Sequence, residues 1–499
     1  MLNMDFSRRR FLKYTAAALI SGSATTFSSQ YLLANNLNLS GSGTVTTTTR
    51  IDDLDKRYKP PEYLNFMEWL QSVSEPYKGK KLVTAFELEP SPLSLQRMDP
   101  EFYKYSEILM GYELSPFSQN LLNISLAMST KAPTYDLMNV DDSHLARFKD
   151  HLIPPQELAE QYSDITYPDL DLDDFYKMGW AFSAKYPQDL IFPPYEKNLN
   201  GSIIQWPQDL PIMIRFYRKD LYEQEGITPG KTWEEYLEDL KMFDNPASGI
   251  FGGGSMALSH ASIIYEFLNH LHSFGGKIWE INEDGLRCVI DSDEAVDALE
   301  NFIQLRLYSD PASSASTWSE LGLLMAVGRI SSAIQFADYA SVVNNPNKSK
   351  TSGKWGYTAT PAGPKGSFST FAGAGVGISR YSRNPEASWL WLQYATNSGT
   401  QIMSLQDPLH HSAPTRMKVY DDPVIQQEIE SGKLEYLKVV KDILSSSHIA
   451  TLISFPGWPQ VRIILSDRIS RCWLGRLTPR EALKDAKEAI DKEGPIFKF

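Results

Sequence analysis

Trp458 and Arg462 stand four residues apart in a stretch that reads as a helix, so an indole and a guanidinium share one face, a turn apart. An indole covers the apolar C–H face of a sugar-like molecule, and a guanidinium bonds its hydroxyls. The same spacing also describes a core indole beside a surface arginine. Asp338 and Tyr339 follow one strand-like run, while Asp141 and Asp142 follow another at 135–140. Strand ends are where α/β folds gather ligand contacts. The structural alternatives are loop packing for the first pair and an Asx turn or helix cap for the second. Glu87 and Glu89 end the run at 81–86 and are further partners for hydroxyls. Gly373 and Gly375 either let backbone approach a ligand or mark a strand bulge. Bond-breaking chemistry has little to stand on. There is no G-x-S-x-G elbow, His410 and His411 are adjacent and so diverge, and His270 and His272 fit no zinc spacing. No catalytic residue, metal or cofactor is expected.

These side chains need a layered scaffold to bring them together. The runs at 81–86 and 135–140 read as buried strands followed by polar loops, and helical patterns alternate with them, which points to α/β layers. A further buried strand begins at Ile212 and leads through a short helix to the turn Pro229-Gly230. Thr232 precedes Glu235 by three, and Thr478 precedes Glu481 by three, the spacing of a capping box. Asp291 is expected to open a helix with Val296, Leu299 and Ile303 on one face. Asn384-Pro385 opens another, with Leu390, Trp391 and Tyr394 inward.

At 499 residues the chain exceeds one compact core and suggests two or three lobes. Its 42% hydrophobic and 12% aromatic content is ample for them. A net charge of -13 argues against a nucleic-acid partner, which would want a basic face, and reads as a device for solubility. Cys288 and Cys472 are too few and too far apart for a thiolate-ligated zinc or iron–sulfur centre, and read as isolated buried thiols. Near the start, Ser7-Arg8-Arg9-Arg10-Phe11-Leu12-Lys13 resembles the twin-arginine export motif, with Arg8 and Arg9 as its pair. The apolar run behind it is shorter than the roughly 20 residues that span a bilayer. Residues 1–34 therefore read as a signal peptide and 35–59 as a flexible linker, with order beginning near Pro60. The twin-arginine translocase is then a partner, and the protein is exported folded to the periplasm or another extracytoplasmic space.

Beyond these local readings, several segments fall in a familiar order. They are Tyr217-Arg218-Lys219-Asp220 with Thr232-Trp233-Glu234-Glu235, then Gly275-Gly276 with the helix at 291–307, then Trp318 through Gly328-Arg329. The stretches at 358–366, 382–389, 412–416 and 478–483 continue it. Over roughly 80–490 the chain resembles family 1 extracellular solute-binding proteins, the maltose-binding-like components of ABC importers; residues 86–130 match least. The resemblance implies a two-lobed α/β fold of the type II periplasmic-binding class, with a hinge and an interlobe cleft. One lobe would take 60–205 plus 370–410 and the other 212–362 plus 416–499, crossing near Trp206-Pro207, 361–372 and 409–412. It implies a monomeric non-enzyme that captures a carbohydrate-like small molecule and delivers it to ABC permease transmembrane subunits. The implied cleft contacts are Trp458 with Arg462, Asp338 with Tyr339, Trp206 and Asp209 beside the first crossing, and His260 in a cleft-facing loop. Two other readings stand beside it. One is a secreted glycan-active hydrolase or lyase, since 61 acidic residues always include a carboxylate pair. The other is a bilobed sensor for a membrane receptor.

Overall fold

The computed structural model describes residues 51–498 except 192 and 447. The export segment with Arg8 and Arg9, and the linker up to residue 50, lie outside the described residues.

Two sheets organise the rest. In the first, β1 (Lys81–Glu87) lies between β2 (Leu109–Ser115) and β3 (Leu137–Asp141), parallel to both. Its residues are buried from Thr84 onward, as a strand covered on both faces requires. The short β4 (Leu152–Ile153) and β5 (Trp206–Asp209) complete this sheet through a later strand described below. The second sheet contains β6 (Met213–Arg218), β7 (Phe251–Gly254), β8 (Ile330–Phe336) and β9 (Trp355–Thr358), in the order β9-β6-β8-β7. The chain then returns to the first sheet as β10 (Ala374–Ser379), antiparallel to β3, β4 and β5.

Each sheet carries its own core. Phe86, Trp206, Val376, Trp389 and Trp391 pack in the first lobe, and Ile214, Phe216, Trp279, Phe302 and Trp473 in the second. The chain passes from the first sheet to the second between β5 and β6 and returns between β9 and β10, and these connections lie beside the segment at Ala413. Leu210 donates its N–H to the Ala413 carbonyl at 3.1 Å, and Ala372 donates to Pro211 at 3.1 Å.

Capping boxes form at Thr232/Glu235 and Thr478/Glu481, and a third forms at Thr317/Glu320. The helix expected at Asp291 is instead capped by Ser292, which accepts from the Ala295 N–H. Strand β2 falls in the segment where sequence pattern is weakest; only Tyr112 and Ser115 in it are buried, and its other residues are half-buried or exposed. Residues 51–59 were expected to be linker, yet Ile51–Asp55 is helical and Arg57 is tied to Asp407 at 2.6 Å. Arg97 holds the same carboxylate at 2.7 Å, so the segment is anchored by a buried charge pair. Cys288 and Cys472 are free and buried. Among the described residues no helix is long and apolar enough to cross a membrane.

Candidate functional site

The C-terminal ends of β1 and β3 point the first lobe's loops at the second lobe. β1 ends on Glu87, and the extended Glu89 precedes the helix Pro90–Ser106, whose opening Pro needs no N–H partner. β3 ends on Asp141, which accepts from the Ser143 N–H at 2.9 Å and pairs with His144 Nδ1 at 2.8 Å. Asp209 ends β5, next to the first crossing, and its Oδ1 accepts from the Ala413 N–H at 2.7 Å.

Across the gap, Asp338 and Tyr339 form the turn after β8. Trp318 is the first residue of the helix Trp318–Ala326, and His260 caps the helix Ala261–Ser273 by accepting from Ser262. The walls touch. Trp318 Nε1 donates to Glu87 Oε1 at 3.1 Å, Tyr265 Oη to Asp142 Oδ1 at 2.9 Å, and Thr451 Oγ1 to Asp142 Oδ2 at 3.2 Å. Phe117 of the first lobe meets Trp318 and His260 edge-on, with ring centroids 5.4 Å away in each case. Arg462 reaches back over the Phe117 ring at 5.9 Å.

Burial governs the charge state of this cleft. It pushes Asp338 up to about 7 against the opposing backbone N–H groups of the turn. It pushes Glu89 up to about 8, helped by the charges of Asp338 and Asp141. Glu87 and Asp209 rise well above the carboxylate range for the same reasons, burial first and neighbouring acids second. Asp142 rises through burial and the adjacent Asp141. Asp141 is the exception: burial pushes it up, but His144 and Ser143 outweigh that and hold it low. His260 falls to about 3 through burial and the Arg462 charge, and so is neutral.

Two hollows flank the Glu87–Glu89 turn. The larger, about 650 Å³ including its solvent-open mouth, runs between Leu88, Pro90 and Leu93 on one side and Leu323, Tyr339 and Val342 on the other. The smaller, about 270 Å³ including its solvent-open mouth, is lined by Glu87, Asn120, Asn139 and Asp141.

Of the residues singled out by sequence, Asp141, Asp142, Asp209, Asp338, Tyr339, His260 and Arg462 stand on these facing walls. Three do not. Trp206 packs against Trp389 at 4.8 Å and Phe175 at 6.2 Å inside the first lobe's core. Trp458 is fully buried in the second lobe's core, edge-on to Phe455 at 6.2 Å. Gly375 makes room within the sheet, since a Cβ there would sit 2.4 Å from Gln205 Nε2. That amide donates to the carbonyls of Val140 at 2.9 Å and Ser183 at 2.6 Å. Sequence reasoning passed over Phe117, Asn120, Asn139, Tyr265 and the cleft role of Trp318. Only Trp318 carried a usable local signal, its place at the start of a capped helix.

The model of the bacterial extracellular solute-binding protein family matches residues 98–402, more than half the chain. The chain belongs to that family. Among relatives, a binding protein from Brucella abortus (strain 2308) is 23% identical over 325 residues, covering 63% of this chain and 72% of the relative. An ABC transporter solute-binding protein from Agrobacterium radiobacter K84, solved with ribitol, superposes with a TM-score of 0.70 at 19% identity, over 83% of this chain and 99% of that one. Maltose-bound T. maritima MalE3 gives 0.70 at 21% identity, over 83% and 100%. The fold is therefore the two-lobed α/β architecture of periplasmic solute-binding proteins, and the facing walls are its interlobe cleft. The family name places the protein outside the cytoplasm.

Proposed function

We propose that this protein is the exported substrate-binding component of an ABC importer and captures a carbohydrate-like solute between its lobes. The observation that carries this reading is the convergence of acids and rings from both lobes on one cleft. Carboxylates match vicinal hydroxyls, and Phe117, Trp318 and Tyr339 offer apolar faces. The ribitol and maltose seen in similar folds support a polyhydroxylated ligand. The lobes would comprise 60–205 plus 370–410 and 212–362 plus 416–499, rotating on the three adjacent crossings. Asp141, Asp142, Asp209, Asp338, Tyr339, His260 and Arg462 would line the ligand, which leaves the protein unchanged by any reaction. Export through the twin-arginine translocase rests on Arg8 and Arg9, and the monomer would present its closed form to the permease.

Calorimetric titration against sugars and polyols tests this reading, with scattering to report closure. Micromolar affinity, about -8 kcal/mol, is expected for at least one compound, with a smaller radius of gyration on binding. No heat from any compound, or turnover of an oligosaccharide, would sink it.

A further inference from the structure

The larger hollow is bounded by carbon from both lobes. Ser319, Leu323, Ala326 and Val327 stand at i, i+4, i+7 and i+8 of one helix, hence along one stripe of its surface. Leu88, Pro90 and Leu93 face them from the start of the helix Pro90–Ser106, and Tyr339 and Val342 complete the second lobe's side. The Tyr339 ring is held in place. It lies against Gly322, where a Cβ would come within 2.5 Å of its Cδ1, and its Oη meets Ser319 Oγ at 3.2 Å. The hollow also begins at the contact between the lobes. Leu88 and Ser319 line it, and each is the residue after one partner of the Glu87–Trp318 bond.

Resting on the function proposed above, we propose that the captured solute is amphipathic: a hydroxylated unit on the cleft walls carries an alkyl or aryl substituent, which the larger hollow holds. At about 650 Å³ with its open mouth, the hollow falls within the roughly 300–1,000 Å³ of small-molecule sites, which are mostly apolar with a few placed polar groups. A sugar ring here would exchange water for side chains that offer most of its hydroxyls no hydrogen bond, whereas an alkyl or aryl group gains by leaving water. Leu323, Val327 and Val342 are half-buried, so each keeps apolar surface for an occupant to cover. Both lobes line the hollow, so it encloses its occupant only when they are together. A captured solute meets that condition, and a partner bound to one lobe does not.

The polar groups of the lining leave room for such a substituent. Ser319 is engaged by Tyr339, and Asn345 Oδ1 accepts from the Asn347 N–H at 3.0 Å. Burial raises Glu89 to about 8, so its carboxyl is neutral at pH 7, and burial lowers the half-buried Lys348. His410 is neutral for the same reason, pushed down to about 3. Its side chain is buried, and Nδ1 has no hydrogen-bond partner among the described residues. That nitrogen offers a hydroxyl of the solute one hydrogen bond in a lining otherwise dominated by carbon.

The experiment is calorimetric titration of the purified chain with matched series: glucose, galactose and maltose, each with its methyl, n-hexyl and phenyl β-glycosides. The hexyl or phenyl member of at least one series is expected to bind at least tenfold tighter than its methyl glycoside, each buried methylene being worth about fourfold. Leu323→Asp puts a charge in the hollow and should remove that gain. Val342→Thr, nearly the same in shape, should reduce it and keeps the test open if Leu323→Asp does not fold. Hexyl and phenyl members that bind no tighter than the methyl glycosides overturn the apolar substituent, leave solute capture standing and return the hollow to a protein partner or a second copy. A gain that survives in full in every variant that folds overturns the assignment to this hollow. Silence from every member overturns solute capture itself and this inference with it.

Discussion

The two walls of the cleft are built from different chemistry. The first lobe contributes Glu87, Glu89, Asp141, Asp142 and Asp209, all at strand ends or just beyond them. The second contributes one acid, Asp338, one cation, Arg462, and otherwise rings and hydroxyls: Trp318, His260, Tyr265, Tyr339 and Thr451. Strand ends in a parallel sheet deliver short loops, which suit compact carboxylates. Helix starts on the opposite lobe deliver side chains at the tip of a rigid rod, which suits large rings. Charge is thus concentrated on one wall and shape on the other. Closure brings them into register through the bonds Glu87–Trp318 and Asp142–Tyr265.

The strongest test separates wall from core. Trp206→Ala should cost about 3–5 kcal/mol in chemical denaturation, because it empties space beside Trp389, while the folded fraction keeps its ligand affinity. Loss of affinity in the folded fraction would return Trp206 to the cleft. Gly375→Ala should cost about 2 kcal/mol by the same assay, since the added methyl displaces the Gln205 amide from two buried carbonyls. On the ring wall, Trp318→Ala removes a ring and the bond to Glu87. Affinity should fall about tenfold, about 1.4 kcal/mol, alongside a lower thermal midpoint from the space emptied beside Phe117 and Phe336. Unchanged affinity in the folded fraction would make Trp318 a packing residue alone.

The pH-dependent effect concerns the acid wall's counterpart, Asp338. Its folded value near 7 lies above its ordinary 3.8, so the folded state holds the proton more tightly. The group's contribution to stability is full below pH 4 and is lost as pH rises through 7. Asp338→Asn carries no such dependence. The unliganded variant should match the wild type near pH 4 and become more stable by several kcal/mol above pH 7, roughly 1.4 kcal/mol for each unit of the rise from 3.8. The neutral buried histidines titrate in both proteins and cancel in this difference. A difference that does not vary with pH would show that Asp338 is not buried as a charge.

Much of the scaffold was legible because its causes are local. The capping boxes at Thr232 and Thr478 need only a hydroxyl and a carboxylate three residues apart. Buried runs such as 81–86 declare strands whatever surrounds them. The candidate site was legible only in part. Asp141, Asp142, Asp209 and Asp338 were reachable from their strand-end positions, whereas Phe117, Asn120 and Tyr265 look like ordinary helix residues in the chain.

The tryptophans show where sequence stops. Trp206, Trp318 and Trp458 are alike as letters, and each lies beside a turn or strand that suits a ligand. Only the tertiary structure decides that Trp206 faces Trp389, Trp458 faces Phe455 and Trp318 alone spans the lobes to Glu87. By itself the sequence determined the layered α/β class, the helix starts and the presence of many acids. Which acids stay unpaired was decided by folding, because a charge's partner is set by distance in space, and Glu87, Asp209 and Asp338 come from segments far apart in the chain.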